Sequence, residues 1–177
     1  YQKTIMISDP DGSGQVSLPG ASPLSEMPEW SPDGTKLAVV TLPSTSIFED
    51  IYTLPADGSG QNVNLTNTTN IRETNPSWSV TGKIAYERNS QIWTMNADGS
   101  GQAHFSAITQ TVASSPAWSP DGTKLAFSSS GIWLINADGT DLHRITTTSN
   151  PMDFTWSPDG SKIAFRKAAT GIAVINV

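Results

Sequence analysis

Trp30-Ser-Pro-Asp-Gly34 returns as Trp118-Ser-Pro-Asp-Gly122 and Trp156-Ser-Pro-Asp-Gly160, with a worn copy at Trp78-Ser-Val-Thr-Gly82. The tryptophans are 48, 40 and 38 residues apart, which is the length of a four-stranded propeller blade and too long for a leucine-rich or ankyrin unit. An apolar run follows each copy: Leu37-Ala-Val-Val40, Ile84-Ala-Tyr86, Leu125-Ala-Phe127 and Ile163-Ala-Phe165. A second run then leads into Ala-Asp-Gly, with Ile51-Tyr-Thr-Leu54 before Asp57, Ile92-Trp-Thr-Met95 before Asp98, and Ile132-Trp-Leu-Ile135 before Asp138.

Both recurring turns read as hairpin loops. Glycine takes a positive φ, aspartate accepts from the backbone beyond it, and proline fixes φ at the second turn position. The chain is therefore read as one all-β domain over 1–177, a β-propeller of four-stranded antiparallel blades at about 28–66, 76–109, 116–146 and 152–177. The first blade should have strands near 28–31, 36–41, 50–54 and 61–65, and it carries an extended loop at Pro43–Glu49.

The chain begins within a repeat. Thr4–Ser8 and Gln15–Leu18 flank an Asp9-Pro-Asp-Gly turn and resemble the third and fourth strands of a blade, whereas the last blade lacks a fourth strand. Closure is therefore expected by Gln15–Leu18 completing the C-terminal blade, because an open ring leaves unpaired sheet edges. Thr4–Ser8 then remains as a spare strand, so an open arc or part of a five- or six-bladed ring is the alternative. A homo-oligomer formed through the unpaired edge strand fits either arrangement.

Composition narrows the partners. The net charge is −6, with ten Lys and Arg residues dispersed along the chain, so there is no basic footprint for a nucleic acid. No apolar run is long enough to span a bilayer, and no membrane insertion is expected. There is no cysteine, which removes disulfide and thiol chemistry and is compatible with a periplasmic or extracellular location. The opening Tyr1-Gln-Lys-Thr4 fits a processed chain or a piece of a longer one.

The Trp-Ser-Pro-Asp-Gly, Lys-Leu-Ala-Phe and Ile-Trp-Leu-Ile-Asn-Ala-Asp-Gly text resembles the WD-like β-propeller repeat of the TolB family, which also occurs in the gating propellers of prolyl oligopeptidase-like and tricorn-like peptidases. The resemblance runs from about Thr4 to Val177. It implies a bacterial propeller scaffold whose repeat residues serve the fold, with function carried by a surface or by the central channel. The chain departs from the pattern at Val80-Thr81, where Pro-Asp is lost.

Candidate chemistry is sparse. Asp33, Asp121 and Asp159 form one turn series and Asp57, Asp98 and Asp138 another, both read as turn caps. One series could instead line a mouth of the ring and hold a cation. Asp9 and Asp11 resemble the start of a calcium loop but lack the acidic ligand at its twelfth position, so no cofactor is expected and calcium is the weaker alternative. His104 and His143 lack zinc-site spacing. No Gly-x-Ser-x-Gly is present, and Glu26, Glu29, Glu73 and Glu87 offer no evident catalytic pair. Asn64-Leu-Thr66 and Asn67-Thr-Thr69 match a glycosylation triplet that Asn- and Thr-rich turns generate freely.

Trp30, Trp78, Trp118 and Trp156 are expected to be equivalent packing anchors. Tyr52, Trp93 and Trp133 are equivalent to one another, either as packing or as a stacking platform beside a groove. The reading that follows is a non-catalytic protein- or peptide-binding scaffold rather than an enzyme, with loops 43–49 and 67–75, including Phe48 and Glu49, as the contact rim. The alternatives are the gate of a peptidase or other hydrolase whose catalytic domain lies elsewhere, and a carbohydrate-binding propeller.

Overall fold

A computed structural model describes residues 5–18, 26–43, 46–147, 151–167 and 171–177. The expected strand start at Thr4 and part of the 43–49 loop lie outside them. Every regular element among the described residues is a strand: β1 (Met6–Ile7), β2 (Val16–Ser17), β3 (Glu26–Trp30), β4 (Lys36–Thr41), β5 (Asp50–Pro55), β6 (Val63–Asn64), β7 (Glu73–Trp78), β8 (Lys83–Arg88), β9 (Gln91–Asn96), β10 (Ala103–His104), β11 (Ser114–Trp118), β12 (Lys124–Ser128), β13 (Ile132–Asn136), β14 (His143–Arg144), β15 (Met152–Trp156), β16 (Lys162–Lys167) and β17 (Gly171–Asn176). Among these residues no helix is long and apolar enough to cross a membrane.

Four antiparallel sheets follow one another as propeller blades: β3–β6, β7–β10, β11–β14 and β15–β17. The repeat holds to the residue. Trp30, Trp78, Trp118 and Trp156 each end a first strand and stand opposite Leu37, Ile84, Leu125 and Ile163.

The apolar text of the second strands follows from this stacking, because successive strand residues point to opposite sheet faces. Ile84 and Tyr86 face back into a core with Ala38, Ile51 and Leu65 of the first blade. Ala85 faces forward into the next core with Leu125 and Phe127, and Ala126 does the same with Ile163 and Phe165. Large residues thus face the preceding blade and alanine the following one, so two sheets can approach while both faces stay apolar.

The expected closure is corrected. β2 pairs with β1, Met6 opposite Ser17, and the last sheet has three described strands in the order β15-β16-β17. The turn Asp9–Gly12 lets the two N-terminal strands meet locally, with the Gly12 N–H donating to the Asp9 carbonyl. Ile5 and Leu18 of this hairpin then pack on Leu37, Val39 and Leu54 of the first blade. The hairpin therefore caps the back of the first blade and does not extend the fourth.

The two ends of the stack show what a missing neighbour does. Trp30 is 47% exposed, whereas Trp78, Trp118 and Trp156 pack on the preceding blade. At the other end Ile172 is 80% exposed, while its counterparts Ile51, Ile92 and Ile132 are fully buried. Burying such a side chain stabilises by about 1.5–3 kcal/mol, which the forward face of the fourth blade does not gain.

Candidate functional site: the channel mouth

The hairpin turns sort the aspartates. Ser31 Oγ donates to Asp33 Oδ1 at 2.6 Å and the Thr35 N–H to the same oxygen at 3.0 Å. Asp121 and Asp159 repeat the arrangement with Ser119 and Thr123, and with Ser157 and Ser161. Asp57, Asp98 and Asp138 accept from the N–H groups of Ser59, Ser100 and Thr140, each at 2.9 Å. These hydrogen bonds favour the ionised form. They hold Asp33 and Asp159 down to about 2, led by the serine hydroxyl.

Both series lie at the same end of the blades, joined by bonds such as the Ala137 N–H to the Thr123 carbonyl, 2.8 Å. Asp9 and Asp11 are engaged in the same way, both accepting from Ser13 Oγ. Among the described residues no group of three or more His, Cys, Asp or Glu side chains comes together that could hold a metal.

The opposite end is built differently. The first strands of all four blades converge there on a cavity of about 210 Å³ lined by Met27, Pro28, Glu29, Asn75, Pro76, Ser115, Pro116, Ala117, Asp153 and Phe154. Each strand carries a bulge at the same place, three residues before its tryptophan. Met27, Asn75, Ser115 and Asp153 all have left-handed φ values, between 51° and 55°, and the pairing register shifts across each of them. Bulges re-aim side chains beside functional sites, and non-glycine residues in this region cost energy that the surrounding structure must hold in place.

The polar groups of this mouth are partly anchored. Asn75 Nδ2 donates to Glu87 Oε2 at 3.0 Å, and Arg166 pairs with Asp153 at 3.1 Å. Burial raises Glu29 above the usual carboxylate value, opposed by the backbone N–H of Trp78 that it accepts. A second cavity of about 230 Å³ continues outward between Glu26, Met27, Val40, Leu42, Glu49, Arg72 and Thr74. There Arg72 grips Glu49 with two hydrogen bonds of 2.9 and 3.1 Å, so the expected rim loops 43–49 and 67–75 meet at the channel end.

The equivalent aromatics are not brought together. Tyr52 Oη accepts from Asn64 and the ring covers the N-terminal hairpin core. Trp93 lies under the Arg88 guanidinium, 4.5 Å from the ring centroid, and beside His104. Trp133 stacks on Phe127 and donates its indole N–H to the Ser129 carbonyl. Each covers its own blade's second strand, opposite Val39, Tyr86 and Phe127, so they form no shared platform. Sequence reasoning did not single out Met27, Asn75, Ser115 and Asp153. Their signal was the constant offset from tryptophan, with proline next in three of the four repeats.

The comparisons agree with this architecture. The model of the TolB beta propeller domain matches residues 49–176. The chain belongs to this family. A structure described as TolB from Agrobacterium tumefaciens superposes with a TM-score of 0.81 at 20% identity, covering 100% of this chain and 71% of that one. TolB from Acinetobacter baumannii gives 0.78 at 22% identity, covering 98% of this chain and 46% of that one. A gluconolactonase from Xanthomonas campestris gives 0.71 at 18% identity, covering 96% and 63%. These likenesses establish the fold. No curated protein matches the chain significantly.

Proposed function

We propose that this TolB-family propeller is a non-catalytic scaffold that binds a protein or peptide segment at the channel mouth, needs no cofactor, and works in the periplasm or outside the cell. The observation that carries the reading is the convergence of four bulged first strands on one open cavity, while the opposite end is occupied by turns whose carboxylates are already satisfied within themselves. A peptide suits the mouth chemically. Pro28, Pro76, Pro116 and Phe154 offer flat apolar contacts, and Glu29, Asn75, Ser115 and Asp153 offer acceptors and donors for a backbone or a basic side chain.

Selection of a displayed peptide library on the intact chain, followed by calorimetry of the winning peptides, tests the reading. Binding should weaken at least about tenfold, some 1.4 kcal/mol, in Asn75→Ala and Asp153→Ala, and should be unchanged in Asp57→Ala at the opposite end. Selection of no peptide, or equal loss in all three variants, would overturn it.

A further inference from the structure

Two carboxyl groups are buried side by side in the seam between the first and second blades. Asp50, which opens β5, is 1% exposed, and Glu73, which opens β7, is fully buried. Thr68 Oγ1 lies 3.2 Å from Asp50 Oδ1 and 2.9 Å from Glu73 Oε2. Asn64 Nδ2 donates to Asp50 Oδ2 at 2.6 Å and the Thr68 N–H to Oδ1 at 3.2 Å. The only cation facing the pair among the described residues is Arg88 of β8, whose Nε lies 3.5 Å from Glu73 Oε1.

Glu49 and Arg72, one position before each acid, form an ion pair of opposite sign at the surface. Asp50 and Glu73 are of like sign within the protein, where two ionised carboxylates cannot both be accommodated beside one guanidinium. Among the described residues no other seam contains such a pair. The position of Asp50 is taken by Gln91 and Gly131 in the next two blades, and that of Glu73 by Ala113 and Pro151. The equivalence is structural: the Glu73 N–H donates to the Glu49 carbonyl as the Ala113 N–H donates to the Ser90 carbonyl.

We propose that Asp50 and Glu73 share one proton, and that this proton operates a clamp holding the 66–72 linker and the adjoining rim loop onto the first blade. With one proton the pair carries a single charge, balanced by Arg88, and both acids hold Thr68. Loss of the proton to water leaves two buried anions beside one cation, and the linker gives way. Burial, with the Asp50 carboxyl adding to it, pushes Glu73 up to about 7 from an ordinary value of 4.5. The folded state therefore holds more protons than the unfolded chain between these values, and stability falls as pH rises through that interval and levels off above it. Among the described residues, the Glu49–Arg72 ion pair lies outside the buried pair at the surface, and the phenols of Tyr52 and Tyr86 beside it are both raised by burial and so neutral in this interval. The clamp does not depend on what the mouth binds.

Hydrogen exchange on the intact chain tests it, with rates divided by their intrinsic pH dependence. Protection of the Thr68 and Glu73 amides should fall about tenfold or more between pH 4.5 and 8, since one pK unit corresponds to a factor of ten. Ala113, at the equivalent place in the next seam, should keep its protection. Glu73→Gln and, separately, Asp50→Asn should flatten the profile, and the glutamine at the equivalent Gln91 position shows that an amide is accommodated there. Equal protection of Thr68 and Glu73 at the two pH values in the unaltered chain would overturn the proposal, as would a pH response that survives either substitution. The first outcome does not depend on the variants folding.

Discussion

Ser77 Oγ accepts a 3.0 Å hydrogen bond from the backbone N–H of Trp118, so the residue before one blade's tryptophan holds the tryptophan of the next. The same offset recurs at the neighbouring seams with other chemistry. Glu29 accepts from the Trp78 N–H through its carboxylate, and the Ala117 carbonyl accepts from Trp156 Nε1 at 3.0 Å. Ser77 is buried, so Ser77→Ala leaves a backbone donor without its acceptor. Urea unfolding should show a loss of about 1–3 kcal/mol, whereas Thr109→Ala on the exposed surface should stay within about 0.5 kcal/mol.

The tryptophans should be unequal in energy although equal in register. Trp156→Phe removes the donor to Ala117 together with packing on the third blade, and a loss of about 1–3 kcal/mol is expected. Trp30→Phe alters a side chain that no preceding first strand covers, and its unfolding free energy should change by no more than about 0.5 kcal/mol. Equal effects at the two sites would contradict the stacking order.

Gly34 and Gly122 offer a cleaner comparison. Both occupy the fifth place of the repeated turn, with φ of 68° and 70°. A Cβ on Gly34 would meet open space, while one on Gly122 would come within 2.7 Å of Ser79 Oγ and 3.0 Å of both Val80 and Thr81. The left-handed strain of an alanine, about 1 kcal/mol, is common to both. Gly122→Ala should therefore be the more destabilising, by about a further 1 kcal/mol from crowding, as read by paired thermal melts.

Acid should release the capped turns selectively. Asp33 and Asp159 are held down to about 2, so their contribution is complete above their ordinary value of 3.8 and is lost as pH falls through about 2. Exchange protection of the Thr35 and Ser161 amides should drop over that interval. Thr81, whose N–H is held by Ser79 Oγ at 3.2 Å in a turn without aspartate, should respond only if the whole domain unfolds.

Much of this molecule was legible in its sequence because the decisive interactions are local. The expected 36–41 strand is β4 to the residue, and 50–54 falls within β5. The turn-cap reading of the six repeated aspartates follows from hydrogen bonds to residues two positions away. The channel mouth was less visible. Met27, Asn75, Ser115 and Asp153 share no side-chain chemistry, and what unites them is a backbone conformation. The Asp50–Glu73 pair was hidden for another reason: its members lie 23 residues apart in different blades, and no repeat marks them.

The sequence by itself determined the blade, its strands, its turns and its register, since hairpin chemistry and the alternation of large residues with alanine act over a few positions. Only the tertiary structure decided which faces are covered. It joined β2 to β1 and left β17 at the edge of the described fourth sheet, set four unlike residues around one mouth, and placed two acids in one seam. Those outcomes depend on how separate sheets stack, and residues distant in the chain acquire burial, partners and shifted protonation only from that stacking.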